Sequence, residues 1–146
     1  MIAHTIQLAL TPVFVLVAIG NILNILAQRL SRVVDRSRLL QDRHSQTSGS
    51  EHDLVVIELR LIARRITLIS RAILLLVTSG LTIGITVAVL FLEEFLKFDL
   101  QQVAAIGFIL AVGLLMTALW HFLLETRTAT AALRIPEEYL ESHREL

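Results

Sequence analysis

The sequence predicts an all-α integral membrane protein: three transmembrane helices, with a cytoplasmic antiparallel helical hairpin between spans 1 and 2. Three observations carry this. Residues 72–92, AILLLVTSGLTIGITVAVLFL, hold no charged side chain, and at about 1.5 Å per residue such a helix covers roughly the 30 Å of a bilayer's hydrocarbon. Residues 5–27 and 103–124 are also uncharged and of similar length. Finally, nine of the thirteen basic residues are arginines packed between Arg29 and Arg71. A helix in a water-soluble core would carry a polar face, and 72–92 has none wide enough. With 55% hydrophobic residues and a mean hydropathy of +0.72, the 146 residues make a single membrane domain, 1–146, with little left for a soluble one.

The first span, 5–27, has no basic leader region and too long an apolar run for a signal peptide, so it reads as a retained helix. Pro12 sits near its start, where a missing N–H costs little. The helix is expected from about Thr11, or from Ile6 with a kink at Pro12. Residues 28–71 form the hairpin. In its first arm, Leu30, Val33, Val34 and Leu40 make an apolar stripe, with Arg29, Arg32 and Arg36 on another face. Arg32–Asp35 and Asp35–Arg38 have the spacing of helical ion pairs. RHSQTSGS, 43–50, is the turn, and Ser50-x-x-Asp53 before an apolar run is a helix-start signal. In the second arm Leu54, Ile57, Leu61 and Leu68 fall on one face, and Arg60, Arg64, Thr67 and Arg71 on another. No breaker separates either arm from its span. A short outer loop, 93–102, joins span 2 to span 3, and 125–146 is a tail containing Pro136 and an acidic stretch.

Orientation follows from the arginines. The hairpin and the tail carry twelve basic residues; the loop between spans 2 and 3 carries Lys97 alone, with Glu93, Glu94 and Asp99. The positive-inside rule places the hairpin and C-terminus in the cytoplasm and the N-terminus outside.

LTPVFVLVAIGNILNILAQRLSRVVDRSRLL at the first span and its exit, ELRLIARRITLISRAILLLVTSGL before the second, and FLLETRTATAAL at the third exit together resemble a bacterial three-span membrane family of unknown function, domain of unknown function 2721. The resemblance covers nearly the whole chain. It rests on the Thr-Pro pair, the Arg-Leu-x-Arg-x-x-Asp-Arg run, the Arg-Arg before span 2 and the Glu-x-Arg after span 3. It implies the three-span topology and a bacterial inner (plasma) membrane, and no activity.

Four constellations are candidate sites. Gln7, Thr11, Asn21 and Gln28, with Asn24 one step aside, make a polar stripe on span 1, and polar groups avoid lipid. It reads either as the lining of a pore or as hydrogen-bonding glue between helices, each contact worth about 0.6 kcal/mol. Gly80, Gly84 and Ala88 on span 2, and Ala104, Gly107, Ala111 and Ala118 on span 3, are seams of small residues suited to close packing, within one chain or between copies. Arg29, Arg32, Arg64, Arg65 and Arg71 form a collar suited to anionic lipid headgroups, at about 1 kcal/mol per basic residue, or to a cytoplasmic protein partner. Glu125 is expected to meet Arg64 or Arg71. Glu93, Glu94 and Asp99 are either a solvated loop or, in an oligomer, an acidic mouth.

Enzyme motifs are absent. No cofactor is expected. His121 and Glu125 have a metal-compatible spacing without a third ligand, and the lack of cysteine excludes thiolate sites. The arginines lack the interleaved aromatics of a nucleic-acid surface. Three thin spans and a two-helix hairpin bury little surface, so a homo-oligomer is expected. Two functions follow: an ion conduit lined by span 1, or a scaffold or accessory subunit whose hairpin docks a partner.

Overall fold

The computed structural model describes residues 2–96 and 99–132. They form three helices: α1, Ile2–His44; α2, Ser50–Leu96; and α3, Gln101–Ala132. All three are long and apolar enough to cross a membrane. Among the described residues there is no strand, so this is an all-α protein with three candidate spans.

α1 continues as helix through Pro12, starting earlier than Thr11. In lipid an unpaired backbone group has no water to turn to, so the chain keeps its helix and forgoes the one bond that proline cannot make. Both arms of the hairpin are continuous with their spans. The connection, 45–49, is short because its side chains close the end of α1. Ser45 Oγ donates to the Asp42 carbonyl (2.8 Å) and Thr47 Oγ1 to that of Arg43 (3.1 Å). Gly49 then takes φ 70°, a left-handed conformation that glycine adopts without penalty. α2 begins at Ser50, with Glu51 and Asp53 in its first turn, where the helix dipole favours negative charge. Asp99 caps α3 by accepting from the Gln101 N–H at 3.3 Å. α3 extends eight residues past the expected end of span 3, to Ala132; the tail residues 133–146 lie outside the described residues.

The packing follows a seven-residue rule. One buried series on α1 is Pro12, Ile19, Leu26, Val33 and Leu40, with Ala9 buried beside its start; on α2 the matching series is Val55, Ile62, Ile69, Leu76 and Ile83. A second α2 series, Ala72, Ser79 and Thr86, faces a matching α3 series, Ala104, Ala111, Ala118 and Glu125. A strict repeat of seven keeps one seam facing its partner over a long distance, as in a left-handed coiled coil. α2 is therefore the shared helix, packed along both α1 and α3. The α1–α2 seam uses large aliphatic side chains, whereas the α2–α3 seam uses alanine and hydroxyl residues. Ser79 Oγ donates to the Ala111 carbonyl at 2.7 Å, a contact that only closely approaching backbones permit.

This repeat corrects one expectation. Of the face formed by Leu54, Ile57, Leu61 and Leu68, the first three are 68%, 53% and 38% exposed and Leu68 is half-buried, whereas Val55 and Ile62 are buried. A 3.6-residue period fits the first set by eye, but the coiled coil selects the set spaced by seven. The first arm's Val33 and Leu40 are buried as expected, with Leu30 and Val34 half-buried.

Candidate functional site

The most constrained polar group is Glu125. It takes the fourth place in the alanine series of α3 and is fully buried. α2 and α3 run antiparallel, so this place lies opposite Arg65. Arg65 donates to Glu125 Oε1 through Nε at 3.0 Å and Nη2 at 2.9 Å. Arg29 of α1 donates through Nη1 to Oε2 of the same carboxylate, and to Thr126 Oγ1 at 3.2 Å. Its guanidinium also lies 5.1 Å from the centre of the Phe122 ring, a favourable cation–π placement. One carboxylate thus joins all three helices, at the level where the uncharged part of α3 ends. Two guanidiniums on one carboxylate leave a net positive charge, which the partial exposure of both arginines (36% and 25%) keeps solvated. A second ion pair, Arg36–Glu58 at 2.8 Å, bridges α1 and α2 further along the hairpin and is exposed.

Sequence reasoning expected Glu125 to meet Arg64 or Arg71. The partner is Arg65 instead, because one residue turns a helix by about 100° and only that position faces α3. Arg64 and Arg71 are exposed. The signal that finds the correct partner is the heptad: Arg65 and Ser79 are fourteen residues apart on α2, as are Ala111 and Glu125 on α3.

The polar stripe of α1 divides into two groups. Gln7 and Thr11 line a cavity of about 490 Å³ at the end of the spans away from the hairpin, with Thr86, Gln101 and Phe108. Asn21, Asn24 and Gln28 are exposed on the single chain, away from α2. Between the groups the same heptad position holds Phe14, 70% exposed.

The two small-residue seams do not face each other. Gly80, Gly84 and Ala88 line an open apolar groove of about 560 Å³ shared with Leu16 and Gly20 of α1. A Cβ at Gly84 or Gly20 would meet nothing within 4 Å. Gly107, by contrast, belongs to the α2–α3 contact: a Cβ there would lie 2.5 Å from Thr86 Oγ1.

Of the collar, Arg29 and Arg65 are engaged by Glu125, while Arg32, Arg64 and Arg71 are exposed. Of the acidic cluster, Asp99 serves as the cap of α3, Glu93 is half-buried, and the side chain of Glu94 lies outside the described residues. His121 Nδ1 lies 2.9 Å from the Thr117 carbonyl, which makes that nitrogen the protonated one. Among the described residues no three His, Asp or Glu side chains are grouped to hold a metal ion.

Three apolar helices, a seam of small residues and a charge node at the end of the apolar zone define a polytopic α-helical membrane protein. The chain belongs to the family described as protein of unknown function (DUF2721), which matches residues 9–135. No curated protein and no solved structure matches it.

Proposed function

We propose that the protein is a homo-oligomer of the bacterial inner membrane, N-terminus outside and hairpin in the cytoplasm, in which copies of α1 gather around a path for small ions. The observation that carries the reading is the exposure of Asn21, Asn24 and Gln28 on the single chain. Asn21 and Asn24 lie within the apolar length of α1, where an amide facing lipid forfeits its hydrogen bonds. A neighbouring copy, or water held between copies, restores them. The open groove beside Gly20, Gly80 and Gly84 supports the oligomer, because small residues left uncovered admit a second helix closely. Phe14 stands in line with the amides and would narrow the path, as apolar rings do where channels close by dewetting.

Two measurements test this: the mass of the particle in mild detergent, and ion flux into liposomes. A multimer that conducts, and whose conductance falls with Asn21→Leu, is the expected result. A monomer, or flux indifferent to Asn21→Leu, overturns it.

The exposed ridge of Leu54, Ile57 and Leu61 favours a second reading, a scaffold or accessory subunit. Beyond the apolar spans, an apolar ridge on a helical arm is a surface suited to a partner helix. Recovery of a single membrane or cytoplasmic protein with the full chain, lost on Ile57→Glu, is the outcome that reading requires. Neither reading involves catalysis or a cofactor.

A further inference from the structure

A groove of about 440 Å³ runs between α2 and α3 beside Glu125, lined by Leu61, Arg64, Leu124, Arg127, Thr128 and Ala131. Arg64 and Arg127 approach it from opposite helices and both are exposed. Among the described residues no carboxylate pairs with either, whereas Arg29, Arg36 and Arg65 each have one. The floor is apolar and Thr128 adds a hydroxyl. Its depth is set by sequence: α3 is uncharged from Val103 to Leu124, and the groove opens where that run stops.

The heptad register adds a second, independent feature. Seven residues deeper on α2, on the same face as Arg64, is Arg71; seven residues deeper on α3, on the same face as Arg127, is Trp120. Arg71 is exposed and Trp120 is 59% exposed. This pair therefore forms a further rung about 10 Å closer to the middle of the spans. Tryptophan settles at the level of lipid headgroups and glycerol esters, and guanidinium groups bind phosphate oxygens in pairs.

We infer that this face of α2 and α3 is a binding site for an anionic phospholipid. Arg64 and Arg127 clamp the headgroup phosphate from two sides. Arg71 and Trp120 flank the glycerol region, and the acyl chains follow the apolar surface of the two spans. A headgroup with a net negative charge is required, because a zwitterionic one brings its own cation to compete with the arginines. The site differs from a diffuse collar in using two named positions and the face they share.

The test uses the full chain in mild detergent. Short-chain phosphatidylglycerol, short-chain phosphatidylcholine and glycerol 3-phosphate are titrated separately while the emission of Trp120, the only tryptophan, is followed. Phosphatidylglycerol is expected to shift the emission saturably, and the double variant Arg64→Gln/Arg127→Gln to weaken it about thirtyfold, equivalent to about 2 kcal/mol. A control, Arg38→Gln/Arg43→Gln, removes the same charge from exposed positions on α1 outside the collar and is expected to bind as the parent does. Equal binding of phosphatidylcholine, equal loss in the control, or an unchanged double variant overturns the site. Glycerol 3-phosphate binding as tightly as the lipid overturns the membrane as the source of the phosphate.

Discussion

Replacing Glu125 with glutamine tests the node where three helices meet. The carboxylate is fully buried and receives donors from both Arg29 and Arg65. Breaking a buried pair by removing one partner costs about 3–5 kcal/mol when the other charge is trapped. Here neither arginine is trapped: 36% of the Arg29 side chain and 25% of the Arg65 side chain reach solvent. Each can turn outward, and glutamine keeps one acceptor oxygen, so the expected cost is about 2 kcal/mol. At roughly 2–4 °C per kcal/mol for a chain of this size, the apparent Tm falls by about 4–8 °C. Helices held in a micelle keep their backbone hydrogen bonds, so the probe must report tertiary contact. Trp120 emission on heating serves, one helical turn and a half from the node. Arg65→Gln alone is expected to cost a similar amount. The double variant is expected to cost less than the sum, since both changes remove the same pair. An apparent Tm within about 1 °C of the parent for Glu125→Gln, or strict additivity with Arg65→Gln, refutes the node as a source of stability.

Three further predictions follow from packing. Gly107→Ala drives a Cβ to 2.5 Å from Thr86 Oγ1 on a buried residue and is expected to cost about 1–3 kcal/mol; Gly84→Ala, with nothing within 4 Å, should leave the same melting curve unmoved. Leu40→Ala empties a heptad position that is 1% exposed and is expected to cost about 2–5 kcal/mol, whereas Leu54→Ala stays within about 0.5 kcal/mol; denaturation of the two variants side by side reads the difference. Phe14→Ala leaves stability unchanged, because that side chain is 70% exposed, and raises ion flux in liposomes if the proposed path narrows there; unaltered flux removes Phe14 from the path.

Three helices, their order and the short connection at Gly49 were legible in the sequence because lipid imposes a simple demand. A segment without charge and about 20 residues long has few other uses. The start of α2 at Ser50 was legible for a local reason, since a glycine in the left-handed region, here Gly49, punctuates the chain whatever packs around it. The faces were harder. Leu54, Ile57 and Leu61 fit a helical stripe as well as Val55 and Ile62 do, and only the interlock with α1 chooses between them. The Glu125 node was half legible: its residue type and depth drew notice, but its partner depended on the α2–α3 register. Counting in sevens from Ala104 would have found it. The glycines at 80 and 84 left their partner open for a related reason, because a spacing of four says that helices can approach closely and not which helix does so.

The unbroken passage of α1 and α2 from the apolar zone into the hairpin has a mechanical consequence. Each is one rod, and the Glu125 anchor grips both near the place where the uncharged part of α3 ends. Arg29 to His44 is about 23 Å of helix, so a tilt of about 5° about that fulcrum swings the hairpin tip by about 2 Å. The far ends of the same rods, beside Gln7 and Thr86, swing the opposite way. In the proposed membrane arrangement, whatever grips the tip in the aqueous phase thereby has leverage on the other face of the bilayer, through helices that run unbroken between the two.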